Sequence, residues 1–386
     1  MPRIDLALTA PITRSAKVLQ VEGMFDVPEK RHSNVEFHFD VPLDAQPWQV
    51  GLITGPSGGG KSQVARALFG DALIESYDWH ADKAIVDGFG AMPVRDVVGA
   101  LSSVGFASPP GWLKSFRVLS NGEKFRVNLA RAIVDERPLV AMDEFSSVVD
   151  RQVGRIGAHA CAKAVRSRPG KRFVAVTCHE DVLDWLQPDW VLEPHIGKFS
   201  WREHQRRPSV NLEIVRCTRE AWKWFAPHHY LTADLPGGCR CFAGLVDGTL
   251  AAFAAVKFFP HPKLQRAWRL SRIVVLPDFQ GLGLGAHGLP NTCGAIIRAL
   301  GGTCIVQTSH PGLIAAWAKS AAWRMTARPH IPGSLSSSSS SSSMDMQRTS
   351  ANAQGRRVAS FRYAGKGHPD IEEARRLWSR QARQRA

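Results

Sequence analysis

The chain has 386 residues, 44% hydrophobic and 22% charged, which is enough apolar material for a core in each of two domains. No run approaches the roughly 18 charge-free apolar residues of a membrane span, and the N-terminus lacks a secretory apolar stretch with a cleavage site, so a channel or permease is not expected. Seven Cys, of which only Cys239 and Cys241 lie close and at no zinc spacing, argue against a disulfide-built module and for a reduced cytoplasm.

In chain order, QVGLIT (Gln49–Thr54) reads as a short apolar strand that runs into GPSGGGKS (Gly55–Ser62) and a helical stretch from Gln63 to Phe69. This is G-x-x-x-x-G-K-S in the strand–loop–helix setting that a phosphate-binding loop requires. Glycines let the backbone wrap closely, so amides along Gly55, Ser57, Gly58 and Gly60 face phosphate oxygens at a helix N-terminus. Lys61 reaches the β and γ phosphates of ATP, and the Ser62 hydroxyl ligates Mg²⁺. The next apolar strand, PLVAM (Pro138–Met142), delivers Asp143 to the Mg²⁺ shell and Glu144 to the attacking water. Further on, WREHQRRPS (Trp201–Ser209) reads as a polar linker, and SLSSSSSSSS (Ser334–Ser343) as a flexible insertion. RVASFRYAG (Arg357–Gly365) alternates like a strand, so the Ser tract interrupts the second domain rather than ending it. A basic helix over Asp370 to Arg385 closes the chain.

Three more stretches carry a family resemblance. LSNGE (Leu119–Glu123) resembles the signature of ATP-binding-cassette (ABC) ATPases. SSVVD (Ser146–Asp150) resembles their D-loop, and TCH (Thr177–His179), after the strand Arg172–Thr177, their switch histidine. The resemblance covers roughly residues 16–195. It implies a homodimer with ATP sandwiched head to tail, Ser120 and Gly122 of one copy meeting the γ-phosphate held by the other, and His179 orienting water. Two features depart from the family. No Q-loop glutamine is found, Ala84–Gly88 with Asp87 occupying the expected strand end, and the segment between Lys61 and Leu119 is short for a transporter cassette. Phe25 is the candidate A-loop aromatic.

In the C-terminal half, WRLSRIVVLP (Trp268–Pro277) reads as a strand feeding DFQGLGLG (Asp278–Gly285) and then a helix from Ala286, again a pyrophosphate cradle. Gly283 to Gly288 also fits G-x-G-x-x-G, but a dinucleotide site needs an acid about 20 positions on. No Asp or Glu occurs from Phe279 to Ser343; an NADP variant would need Arg298. The loop is similar to the Q/R-x-x-G-x-G/A motif of GNAT N-acetyltransferases. That resemblance, over roughly residues 212–365, implies an acetyl-CoA pyrophosphate held by Val275, Gln280, Gly281, Gly283 and Gly285. The hairpin Phe242–Val246 and Leu250–Val256 around Asp247-Gly248, the strand Cys304–Gln307 and the helix Gly312–Ser320 fit it. The motif region supplies no carboxylate base, so HHY (His228–Tyr230) and SHP (Ser309–Pro311) hold the polar groups of interest, with His229 as base and Tyr230 as proton donor to the thiolate. For each group a packing or capping role is the commoner reading. A fainter resemblance links this half to phage DNA-modifying proteins related to the acetyltransferase fold.

Charge points the same way. Lys and Arg number 49 against 34 Asp and Glu, a net +15, and over residues 344–386 ten basic residues face four acids. Such an excess favours polyanions, either as a nucleic-acid contact or simply as a solvated tail. The expected architecture is α/β: an ABC-type ATP-binding domain (1–200), a linker (201–211), an α+β GNAT-like acyltransferase domain (212–365, with 334–343 inserted) and a basic helix or tail (366–386). The expected function is an ATPase coupled to acyl transfer on or near nucleic acid. The alternatives are an ATP-dependent nucleic-acid clamp with a silent second domain and, below it, a transporter subunit.

Overall fold

A computed structural model describes residues 3–25, 28, 32–202, 210–229, 234–330 and 357–379. In chain order its elements are β1 (Arg3–Pro11), α1 (Ala16–Phe25), β2 (His32–Asp40), β3 (Val50–Thr54), α2 (Lys61–Phe69), β4 (Leu73–Ile74), α3 (Val94–Ser103), α4 (Pro109–Trp112), α5 (Asn121–Val134), β5 (Leu139–Met142), α6 (Arg151–Arg166), β6 (Arg172–Thr177), α7 (Val182–Leu186), β7 (Trp190–Glu193) and β8 (Lys198–Trp201). There follow β9 (Leu212–Cys217), α8 (Trp222–Phe225), β10 (Arg240–Val246), β11 (Thr249–Phe258), β12 (Ala267–Val275), α9 (Leu289–Ala299), β13 (Thr303–Thr308), α10 (Pro311–Ala318), β14 (Trp323–His330), β15 (Val358–Tyr363) and α11 (Ile371–Trp378). Two compact units result: Met1–Asp78 with Arg131–Arg207, and Trp79–Ala130 with Pro208–Ala386.

The first unit holds a six-stranded sheet in the order β4-β5-β6-β3-β7-β8, parallel except for β8 against β7. Runs such as VGLI and RFVAV carry no alternation because both faces are covered; Leu52, Ile53, Val174 and Val176 are fully buried. The core closes tightly on β3, where a Cβ at Gly51 would stand 2.1 Å from the Trp190 ring. Asp189 pins the start of the same strand by accepting from the amides of Gln49 and Val50 at 2.7 and 2.9 Å. β3, between β6 and β7, therefore delivers residue 55 to the sheet edge where parallel α/β sheets take ligands. Trp201, expected to open the linker, instead ends β8 opposite Trp190. Residues 203–209 of that linker lie outside the described residues.

The second unit is a seven-stranded sheet in the order β14-β15-β13-β12-β11-β10-β9, antiparallel except for β12 and β13. The turn Asp247-Gly248 joins β10 to β11 with φ +49° and +81°, the left-handed pair a two-residue hairpin demands. β12 and β13 pair in parallel from Ala267 to Leu270 only, while β12 continues to Val275. β14 and β15 pair across the Ser-rich span, which lies outside the described residues, so this domain does resume after it. The final helix is shorter than Asp370–Arg385: α11 begins behind Asp370, whose carboxylate accepts from the amides of Glu372 and Glu373, and residues 380–386 lie outside the described residues.

The segment Trp79–Ala130 belongs to this second unit. The stretch Ala84–Gly88, expected as a strand end, is not one. Ile85–Phe89 forms a 3₁₀ turn, and Ala84 makes only an isolated bridge to Ser115. The apolar Ile85 is buried, but by packing within this segment rather than in a sheet.

Candidate functional site

The phosphate loop is built as its sequence requires. Gly55, Gly58 and Gly60 take φ of +141°, +77° and +79°, and α2 starts at Lys61. The glycines also serve a packing role. A Cβ at Gly60 would lie 2.0 Å from Phe37 Cζ, and one at Gly55 2.6 Å from His195 Nδ1. Phe37 on β2 and His195 after β7 thus wall the loop; neither stood out in the sequence, since each sits in an unremarkable apolar or turn context. Lys61 Nζ donates to the carbonyls of Gly55 and Pro56 at 3.0 and 2.7 Å, lying across the loop with Ser57 between them and the helix. Ser62 occupies the first turn of α2, half-buried.

Asp143 ends β5 with only 6% of its surface exposed and has no basic partner among the described residues. Its Oδ1 accepts the Glu144 amide, at 2.9 Å. A buried carboxylate left without a cation is the donor chemistry that a hard divalent ion satisfies, with Ser62 and phosphate oxygens completing the shell. The residues fit Mg²⁺. Next to it, Glu144 and Ser146 adopt left-handed backbone, φ +50° and +66°, which costs non-glycine residues about 1–3 kcal/mol each and clusters at functional sites. The buried hydroxyls of Ser146 and Ser147, within the D-loop-like stretch, have no hydrogen-bond partner among the described residues.

His179 follows β6, its amide donating to Thr177 Oγ1 at 3.1 Å. Partial burial, then the Arg151 guanidinium, push its imidazole pKa below the usual value, while Asp181 and Glu144 pull the other way. Asp181 is itself held by Arg151 and Arg155 from α6. So the structure brings Glu144 and His179 into one electrostatic neighbourhood. Phe25 ends α1 with 68% of its surface exposed.

Ser120 and Gly122 belong to the other unit. Ser120 and Glu123 cap α5 reciprocally: the Ser120 amide donates to Glu123 Oε2 at 2.8 Å and the Glu123 amide to Ser120 Oγ at 3.3 Å. The signature-like residues therefore sit at a capped helix N-terminus, where the dipole favours anions. Asp87 is exposed in its 3₁₀ turn.

The second glycine loop leaves β12 at Val275. Gln280 Nε2 donates to the Val275 carbonyl at 3.1 Å, tying the loop back to its strand. Gly281 and Gly283 take φ of +108° and +80°, and a Cβ at Gly285 would press on Val275 Cγ2 at 3.1 Å. The amides of Gly281, Leu282 and Gly283 meet no chain carbonyl among the described residues. A π-helical turn, Leu284–Gly288, precedes α9, rather than regular helix from Ala286. Arg298, which the dinucleotide alternative required, lies in the last turn of α9, about 13 Å along its axis from the loop end. That alternative loses its ribose contact.

His229 sits edge-on to Trp222, ring centroids 5.6 Å apart, after the turn Ala226–His228; Tyr230 lies outside the described residues. His310 has both ring nitrogens engaged. Nε2 lies 3.0 Å from the Ala107 carbonyl, and Nδ1 accepts the Leu313 amide at 3.4 Å as the cap of α10. That makes it a structural cap and not a base for an acceptor amine.

The acetyltransferase (GNAT) family profile matches residues 179–293. The zinc import ATP-binding protein ZnuC of Cereibacter sphaeroides is 30% identical over 169 residues, 38% of this chain and 68% of that protein. The chain belongs to the ABC ATPase family, and its C-terminal part carries a GNAT acetyltransferase domain. Among solved structures, a bacterial Atm1-family ABC exporter with ATP bound is 18% identical, with TM-score 0.33 over 44% of this chain. The chain spans 35% of that exporter's length. A dimeric bacterial ABC transporter cassette is 14% identical, with TM-score 0.35 over 44% of this chain and 92% of its own. Among the described residues no helix is long and apolar enough to cross a membrane.

Proposed function

We propose that this chain binds and hydrolyses ATP at the first loop and transfers an acyl group from acetyl-CoA at the second, on or near nucleic acid. The observation that carries the reading is that one chain holds two glycine cradles, each leaving a strand of a covered sheet and each opening into a helix. In the first, Gly55, Ser57, Gly58, Gly60 and Lys61 hold the phosphates, Ser62 and Asp143 the Mg²⁺, and Glu144 with a neutral His179 orients water. Ser120 and Gly122 complete that site from a second copy, which makes the active species a homodimer. In the second, Val275, Gln280, Gly281, Gly283 and Gly285 hold the pyrophosphate, and His229 and Tyr230 are the candidates for moving the proton. Bound acetyl-CoA supplies the activated thioester. The net charge of +15 draws the acceptor, a polyanion, to the protein.

The deciding experiment is calorimetric titration of acetyl-CoA into the full chain, with Gly283→Glu as control. Saturable binding lost in the control supports a working acyl-donor site. No binding favours the second reading, an ATP-driven nucleic-acid clamp, which has the carboxylate-free run from Phe279 to Ser343 behind it. Nucleic-acid binding that weakens linearly in log salt supports both. A transporter-subunit role is disfavoured because the segment Trp79–Ala130 has its partner within this chain.

A further inference from the structure

Arg126 lies on α5, four residues beyond Gly122 and so about one helical turn from the signature-like end. It is 3% exposed and has no carboxylate partner within salt-bridge distance among the described residues. Its guanidinium instead donates to three backbone carbonyls: Gln280 at 2.6 Å, Gly105 at 3.0 Å and Asp278 at 3.3 Å. Two of these belong to the acyl-donor loop. A buried cation surrounded by carbonyls is costly to keep unless every donor is used. Burial accordingly draws its pKa down to about 10, against the pull of Asp278 and Glu123.

The contact is fitted from both sides. Gly105 has φ +85°, and a Cβ there would fall 2.3 Å from both Arg126 Nη1 and the Gln280 carbonyl oxygen, so only glycine leaves room. Gln280 Oε1 accepts the Ala107 amide at 3.1 Å, and His310 holds the Ala107 carbonyl at 3.0 Å. Ala107 is thus held directly at two points, by Gln280 and His310, and Gly105 is joined to Gln280 through Arg126. One consequence is stereochemical. A peptide is planar and trans, so fixing the Gln280 carbonyl on Arg126 turns the Gly281 N–H to the opposite edge, away from the guanidinium. Gly281, free of a Cβ, would otherwise let that peptide rotate.

We infer that Arg126 is a positioning residue through which the signature helix sets the amides of the acyl-donor loop, linking nucleotide occupancy to affinity for acetyl-CoA. The inference rests on the function proposed above. A 14-residue helix moves as a rod, so a shift of Ser120 and Gly122 onto a γ-phosphate carries Arg126 and the Gln280 peptide with it. By linkage, acetyl-CoA then changes ATP affinity by the same factor.

The test uses the full chain with Glu144→Gln, so that ATP persists. Two readouts are taken with and without Mg-ATP: the Kd for acetyl-CoA, and amide exchange across residues 276–288. ATP is expected to change that Kd by roughly fivefold or more and to alter exchange at Gly281–Gly285. Arg126→Gln should bind ATP normally yet lose both responses, and Arg126→Lys, which keeps the charge without the fork, should retain part of them. If Arg126→Gln does not fold, the reduced response of Arg126→Lys carries the test. An unchanged Kd and unchanged exchange in the parent, or a full response in either variant, overturns the inference. A loop that responds to ATP while acetyl-CoA never binds supports the link and sinks the acyl-donor reading instead.

Discussion

At Gly60 and Gly283 the backbone makes nearly the same left-handed turn, φ +79° and +80°, in two loops that each precede a helix. A methyl group added at the first would meet Phe37 at 2.0 Å; at the second its nearest neighbour would be His287 Cδ2 at 3.7 Å. The phosphate loop is walled in by its own unit, through Phe37 and His195. The second glycine loop is open where the phosphate loop is filled, and the Gln280 carbonyl within it is held by Arg126, 154 positions away in the chain. Similar glycine loops can therefore be preorganised in different ways, one by side chains packed against its glycines and one by hydrogen bonds to a neighbouring peptide.

The contrast can be broken most forcefully at the chemistry. Glu144→Gln should lower ATP hydrolysis by roughly a hundredfold or more and leave acetyl-CoA binding in the absence of nucleotide intact; a variant that turns over ATP at the parent rate removes Glu144 from its role. Next comes packing. Gly60→Ala should cost about 2–4 kcal/mol in denaturant unfolding, from left-handed strain plus the clash with Phe37. Gly283→Ala should cost about 1–2 kcal/mol, from strain alone. Equal losses would mean that the wall of Phe37 gives way freely. A smaller effect is expected with pH. Because burial and Arg151 depress the His179 pKa, its imidazole stays neutral below the usual value of 6.5, so hydrolysis should hold on mild acidification and fall only below that. A decline already centred at or above 6.5 would show that another group controls the rate. Smallest of all, Ser120→Ala removes half of a reciprocal cap and should cost about 1 kcal/mol, read as a shift in unfolding midpoint at constant slope.

Much of the scaffold was legible because its strands are continuous apolar runs, two of them ended by glycine or acid. β6 covers Arg172–Thr177 as read, and β3 and β5 differ by one residue at their starts. The turn at Asp247-Gly248 is similarly local chemistry. The misreadings have a common cause. Ala84-Ile85-Val86 has the composition of a strand end, but among the described residues no strand pairs with it, and Ile85 is buried within a 3₁₀ turn. His310 is open by residue type to a base or a capping role, and its contacts decide: Nδ1 caps α10, and the carbonyl of Ala107, far away in sequence, occupies Nε2. Arg126 had no signal at all, since one arginine in an ordinary helix looks like any other until its side chain is found buried. Phe37 and His195 became visible only through what the loop glycines exclude.

The composition of the second unit bears on how the chain can be made and cut. Residues 79–130 leave the ribosome well before residues 208–386, yet bury Leu101, Phe106 and Trp112 within the unit that both segments form. Until the later strands are synthesised, that apolar surface lacks part of its cover, and the long separation makes its closure slow. For the same reason, a gene truncated at the linker should not release a self-sufficient acyltransferase. Residues 208–386 expressed alone would miss Gly105, Ala107 and Arg126, whereas supplying residues 79–130 as a separate polypeptide offers a route to reconstitution.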